Sequence, residues 1–452
     1  MPTKPKKVSL DTNAVNIVNA IRNNNSVFYK DYVPPITDVS ELKQIGKIIM
    51  DMPALQNEFL NALVNRIAMV RITSKLYDNP WARFKKGIVD FGETIEEIYV
   101  DLCRVYEFDV EKAENELFKR SNPDVRAAFH TINFMKFYKI TISRQMLYRA
   151  FLSAKGMDDL ISKIMESVYT SANYDEFLTM KYLLACTILN GRIYPIEIPL
   201  VNVDNAKAIV TAVKANSNRL TFPSRDYNPA GVFQHTPKEE QNIIINSDFD
   251  AIMDVNVLAS AFNMSKTEFD GKRILVDSFG SLDKPRLAEL FKDDKNYKPI
   301  SDADLAKLDA IPMVVTDDNF WMIFDNLIEM RDVENGQGLY WNYFYHLWKT
   351  FSVSPFSNAV MYVPATPTVV SVDVTPTTAS IPAGGNVALT TTVVVTGFAP
   401  QTVKYESNNE NVYVTAGGVV TAKEGATGTA TITVTSTFDE TKSDTMTVTI
   451  TG

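Results

Sequence analysis

The chain has 452 residues, room for roughly three units of about 150 residues each. With 45% apolar and 22% charged residues it can bury a sizeable core. Its net charge of −9 argues against a generic nucleic-acid binder, which needs clustered Lys and Arg, but leaves a locally basic face open.

Residues 1–35 are polar and Asn-rich and read as an arm. The first stretch has charge but no apolar core, so no signal peptide is expected, and no apolar run is long enough to predict a transmembrane helix. A short helix is predicted near Val15–Arg22. "YVPPITDV" then reads as extended chain, because proline restricts itself and its predecessor. Leu55, Phe59, Leu60, Leu63 and Ile67 predict a helix over Ala54–Ala68. Next comes "WARFKKGIVDFGETIEEIYVDL", where Arg83, Lys85 and Lys86 precede Glu93, Glu96 and Glu97 across a Gly-containing loop. Such a stretch is either a solvated hairpin or a loop meeting complementary charges on a neighbouring subunit.

The longest helix is predicted between Gly156 and Gly191, about 50 Å if continuous at roughly 1.5 Å per residue. Asp158 and Asp159 suit its start and Gly191 its stop; "TSAN" near the middle is a candidate break. Helices are also predicted at Asn205–Asn216 and Phe249–Phe262. Strands are predicted at Asn242–Ile245, Ile274–Val276, Met313–Thr316 and Phe320–Phe324. Helix and strand mix without strict alternation, so the first 363 residues read as α+β.

"GLYWNYFYHLWKTF" is half aromatic: Tyr340, Trp341, Tyr343, Phe344, Tyr345, Trp348 and Phe351. Helical spacing would align Trp341, Phe344, Tyr345 and Trp348, but the aromatic and β-branched content favours a strand. One face would then carry Trp341, Tyr343 and Tyr345, the other Phe344, His346 and Trp348. Both faces are largely apolar, so the strand is expected to be core on both sides. A ligand cage and a protein interface are the competing readings.

Composition changes at "YVPATPTVV", Tyr362–Val370. From residue 364 to 452 there is no Arg, and short alternating runs rich in Thr and Val are separated by turn residues, the pattern of a β-sandwich. Chemistry is hard to place. His130, His235 and His346 are scattered, Cys103 and Cys186 are far apart, and no metal-ligand spacing, phosphate loop or carboxylate pair stands out. Neither an enzyme nor a cofactor is expected.

Several long stretches resemble the major capsid proteins of phi29-like tailed bacteriophages: "VNAIRN", "NEFLNALVNRIAMV", "FKKGIVDFGETIEEIYVDL", "AFNMSKTEFDGKRILVDSF", "FWMIFDNLIEM" and the aromatic stretch through Val363. The resemblance implies an HK97-like capsid core over 1–363. Within it would lie an N-terminal arm region over 1–60, an extended loop near 75–105, a spine helix over 156–191 and a mainly axial domain near 196–310. Residues 364–452 resemble a bacterial immunoglobulin-like group 2 domain, on Val374-Thr-Pro376, Gly384-Gly385, "VKYESNNENV" and "GGVVTAKEGATGTATITVTS"; Tyr405 stands where many members carry Trp. The implied role is a structural head protein that self-assembles, as pentamers and hexamers, around double-stranded DNA in the bacterial cytoplasm and resides in the virion. Scaffolding protein and portal are the implied assembly partners, the Ig-like domain is an implied weak host-surface contact, and no membrane is involved. The alternative is a secreted adhesin or polysaccharide-active protein with an Ig-like tail.

Overall fold

The computed structural model describes residues 11–70, 79–89, 94–103, 105–106, 123–152, 166–202, 204–252 and 273–451. Among the described residues before 364 there are eleven strands: β1 Lys85–Ile88, β2 Ile95–Val100, β3 Val125–His130, β4 Phe134–Ser143, β5 Tyr194–Glu197, β6 Gln241–Asn246, β7 Arg273–Val276, β8 Met313–Asp317, β9 Trp321–Asn335, β10 Tyr340–Val353 and β11 Ala359–Val363. They form two main sheets and one separate hairpin.

The first sheet has the order β1-β9-β10-β4. Its centre is a long antiparallel ribbon in which β10 lies between β9 and β4, with a bulge at Asn326. One face is covered by the helices Asp11–Asn24, Leu42–Asp51, Pro53–Val70 and Arg144–Leu152. Leu42, Ile45 and Ile49 form a stripe at helical spacing that turns inward. Close packing there depends on Gly46, where a Cβ would lie 2.5 Å from Phe151 Cβ.

The second sheet has the order β5-β11-β8-β6-β7. Alternate residues divide between its faces. Ile244, Val314 and Met361 pack with Leu184 and Ile188 of the helix Ser171–Leu189; Ile243, Ile245, Val315 and Tyr362 pack with Ile209 and Val213 of the helix Ala206–Leu220. Burial on both faces explains why "QNIIIN" and "MVVTD" show no polar alternation. The chain passes between the sheets three times, from β4 to β5, from β8 into β9 and from β10 into β11.

The long α-helix is Ser171–Leu189; it begins within "TSAN", directly after a π-helical turn, Glu166–Thr170, so the helical winding changes where a break was expected. The predicted stretch 156–165 lies outside the described residues, as do 253–262 of the predicted Phe249–Phe262 helix, of which Ser247–Ile252 is helical. The helix ends at Leu189, and Gly191 takes φ +64°, a conformation that favours glycine. Beyond Val363, nine short strands between Thr368 and Thr451 enclose an apolar core including Val374, Ile432, Val434, Met446 and Val448.

Candidate subunit interfaces

The aromatic stretch is a strand whose two faces differ in burial. Trp341, Tyr343, Tyr345 and Leu347 are buried against the helices, and Trp341 Nε1 donates to Asn57 Oδ1 at 2.9 Å. Phe344, His346 and Trp348 point the other way and are only half-buried. The expectation that Phe344 and Trp348 belong to the core therefore needs correction. Among the described residues no helix of the cluster that covers the other face packs here, although Phe344 and Trp348 are as apolar as the buried rings.

Cross-strand neighbours extend the surface. Phe137 lies opposite His346 and Met135 opposite Trp348, and both are more than half exposed. Phe137 meets Phe344 edge-on at 5.7 Å, and the Lys139 ammonium sits 5.7 Å from the centre of the Phe344 ring. Val333, opposite Asn342 on β9, adds another exposed apolar side chain.

The predicted charged loop divides between two elements. Its basic part enters the first sheet: β1 pairs in parallel with β9. That places Lys85 in an interior network, with Nζ 2.5 Å from Asp325 Oδ2 and 3.4 Å from Glu176 Oε2. Lys349, almost fully buried on β10, binds the same two carboxylates, at 2.6 Å from Asp325 Oδ1 and in close contact with Glu176. Asn79 Nδ2 donates to the remaining Glu176 oxygen at 2.8 Å. Two ammonium groups thus face two carboxylates. Burial works to raise both carboxyl pKa values, but attraction to Lys349 and Lys85 prevails and holds them below the ordinary range. For Lys85, burial works downward, and the pull of Glu176 and Asp325 still raises its pKa. The neighbouring Asp175, fully buried, accepts two hydrogen bonds from Arg286 at 2.7 and 2.8 Å and one from Tyr138 at 2.7 Å.

Lys86 Nζ donates to the Asp318 carbonyl at 2.6 Å, and Arg83 reaches Asn242 Oδ1 at 3.4 Å. On β2, Glu97 accepts from Ser354 Oγ at 2.7 Å and lies 3.2 Å from His130 Nε2. Glu96 points outward, and Glu93 lies outside the described residues. The expectation of a basic arm reaching a neighbour is thus corrected for Lys85: a lysine drawn into a sheet needs an opposite charge at hand, and this chain supplies it. Lys86 and Glu97 are also held by their own subunit.

The β2–β3 hairpin was missed in the sequence because its apolar residues alternate only weakly with polar ones. Its inner face is tied down by Tyr99, whose hydroxyl donates to the Phe233 carbonyl at 3.0 Å, and by Arg126, which donates to the Ala230 carbonyl at 2.6 Å. The outer face carries Ile98, Val100, Val125 and Phe129, each more than half exposed, beside Glu96. Among the described residues, two regular elements thus each present exposed apolar side chains on one face. Scattered exposed apolar residues are ordinary; contiguous ones on ordered strands mark interaction sites.

A profile described as "Phi29-like phage major capsid protein" matches residues 18–363. The chain belongs to that family. It is 34% identical to the major capsid protein of Bacillus phage GA-1 over 431 residues, covering 92% of this chain and 85% of that protein. It is 35% identical to the major capsid protein of Bacillus phage PZA over 379 residues, covering 83% of this chain and 78% of the relative. The capsid structure of Staphylococcus phage Andhra superposes with a TM-score of 0.50 at 13% identity, covering 65% of this chain and 86% of that one, a likeness of fold alone. The fold is HK97-like, that of tailed-phage capsids. As a phi29-like major capsid protein the chain is a structural subunit of the phage head, self-associating into a shell and residing in the virion. The adhesin and polysaccharide-enzyme alternative falls with this finding.

Proposed function

We propose that neighbouring copies join through the two apolar faces that stand exposed among the described residues: the outer surface of the β2–β3 hairpin of one subunit against the outer surface of β10 and β4 of the next. The observation that carries this is the run of exposed apolar side chains on that face, Met135 and Phe137 on β4 and Val333 on β9, beside the half-buried Phe344. Many such modest contacts, closed by symmetry into pentamers and hexamers, make a shell that holds although each contact is reversible. The role is structural, without catalysis or cofactor. Scaffolding protein and portal act as assembly partners, and double-stranded DNA lies against the inner surface. The sandwich beyond residue 363 is read as a bacterial immunoglobulin-like group 2 domain that faces outward and contacts the host surface weakly.

The test is paired. Phe137→Asp and Phe129→Asp each place a charge on one of the two faces without touching either core. Both variants are expected to give a soluble subunit with wild-type circular dichroism and no particles by negative-stain imaging. Normal particle yield from both would overturn the pairing.

A further inference from the structure

We infer that the cleft between the C-terminal sandwich and the rest of the subunit binds an anionic, hydroxyl-rich chain: an acidic glycan or a polyol phosphate. The cleft encloses about 1070 Å³. That is at the upper limit of the roughly 300–1,000 Å³ usual for small-molecule sites, so its occupant is longer than one ring. Three parts of the fold build it: strand β3 with the loop 225–231, the segment following the long helix, and the turns of the sandwich around 400–405, 414–417 and 437–438.

The charge of the lining is opposite to that of the chain. Arg126, Arg192, Arg225 and Lys404 line the cleft against one carboxylate, Asp226, in a protein of net charge −9. Three of these cations are held in place. Arg225 is gripped by both Asp101 oxygens at 2.8 and 2.9 Å, Arg126 by Asp124 at 3.1 Å, and Lys404 by Glu440 at 3.1 Å. The exposed Arg192 guanidinium has no hydrogen-bond or ion-pair partner among the described residues. It therefore keeps its full fork of donors for an anion.

The rest of the lining suits a sugar or polyol. Tyr194 meets Tyr227 edge-on at 5.3 Å and lies 5.8 Å from Phe438, so ring faces from both sides of the cleft converge there. On the sandwich wall Thr415 Oγ1 accepts from Val419 N and keeps its own O–H to donate, while Thr391, Thr402 and Thr437 are bonded within the sandwich, Thr391 to Tyr405 and the other two to each other. Aromatic faces take C–H surface, while hydroxyls and guanidinium groups take oxygens. The two walls approach closely at a few points. A Cβ on Gly191 would lie 2.9 Å from the Gln401 backbone nitrogen, and Thr366 Oγ1 donates to Glu197 Oε1 at 2.9 Å.

This inference deepens the reading that the sandwich meets the host surface, and its test separates the two. The intact chain is titrated calorimetrically with three probes: a poly(glycerol phosphate) oligomer, an oligogalacturonate and a neutral dextran oligomer. Binding of at least one anionic probe is expected, weakening with salt, with dextran much weaker. The preferred anionic probe tells phosphate from carboxylate recognition. Arg192→Glu is expected to lower affinity by about tenfold or more at unchanged melting temperature, and Phe438→Ala by several-fold with some loss of sandwich stability as well. Lys207→Glu, an exposed charge change outside the cleft, is expected to leave binding unchanged. Absence of binding, equal binding of dextran, or an equal loss in Lys207→Glu would each overturn the site. So would loss of binding on assembly into particles, which would mean that a neighbouring copy fills the cleft. If the purified chain binds but Arg192→Glu particles adsorb to host cells like wild type, the cleft stands and the host-surface reading fails.

Discussion

Lys349 sits between Glu176 and Asp325 with almost no access to water, and Lys85 shares both carboxylates. Removing one charge from such a set leaves another buried and unpaired, which costs about 3–5 kcal/mol. Glu176→Gln is therefore expected to lower the urea midpoint of the subunit at pH 7 by a corresponding amount. The pH dependence has a definite sign. The folded carboxyls of Glu176 and Asp325 titrate below their unfolded values of roughly 4.3 and 3.9, so their contribution is complete above those values and is lost as pH falls through the folded ones. Wild type should lose stability below about pH 4, and Glu176→Gln should show a shallower acid limb. An acid limb of unchanged slope would remove Glu176 from the account. The sequence shows Lys85 as a charge but not as a buried one: its partner Glu176 is 91 positions away, and Lys349 is 173 positions from the same carboxylate. Long-range pairing of this kind leaves no local signature.

At the scale of the element, the two tryptophans of β10 separate folding from assembly. Trp341→Ala empties a site walled by helices and is expected to cost about 3–5 kcal/mol in the isolated subunit. Trp348→Ala is expected to cost clearly less and to lower particle yield. Single-Trp variants give the optical check: Trp341 should emit at short wavelength and resist iodide in the free subunit, whereas half-buried Trp348 should be quenched more than Trp341 there and less once particles form. Equal quenching of the two in the free subunit would erase the distinction. That β10 is a strand was legible, because aromatic and β-branched residues fit a pleated surface. Which face is inside was not, since Tyr345 and Phe344 are both large rings and only the helices decide between them. The two helices flanking the "PPI" stretch illustrate the same limit. Val15–Arg22 was visible from its spacing, while Leu42–Asp51 was passed over because its apolar stripe is interrupted by Gly46, whose value lies in a contact with Phe151 more than a hundred residues on.

On the scale of the whole molecule, composition marks the change at residue 364, and the structure shows the sandwich resting on the edge strand β5 and on the end of the long helix. Gln401 Nε2 donates to the Leu189 carbonyl at 3.4 Å, and Phe438 meets Tyr194. These contacts are few beside the apolar cores on either side, as expected between domains. Deleting 364–452 is expected to leave a soluble subunit that still forms shells, with the core transition in calorimetry shifted by only a few degrees. Insolubility of the truncated chain, with point variants of the sandwich soluble, would make the two parts one cooperative unit. The HK97-like plan could be read from the resemblance. The cleft could not, because its walls come from segments as distant as Arg126 and Phe438.

The alternation along β10 has one more consequence. From Trp341 to Trp348 odd positions are walled in and even positions are less buried, so the two sides differ by a single step of the chain. If β10 paired with β9 one residue out of register, every ring would change sides: Tyr343 and Tyr345 would face the neighbour, and Phe344 and Trp348 would press on the helices. Such a subunit would carry its folding error on the surface that the next copy must recognise. Lattice growth would then act as a proofreading step, rejecting misregistered subunits by the same contact that admits correct ones.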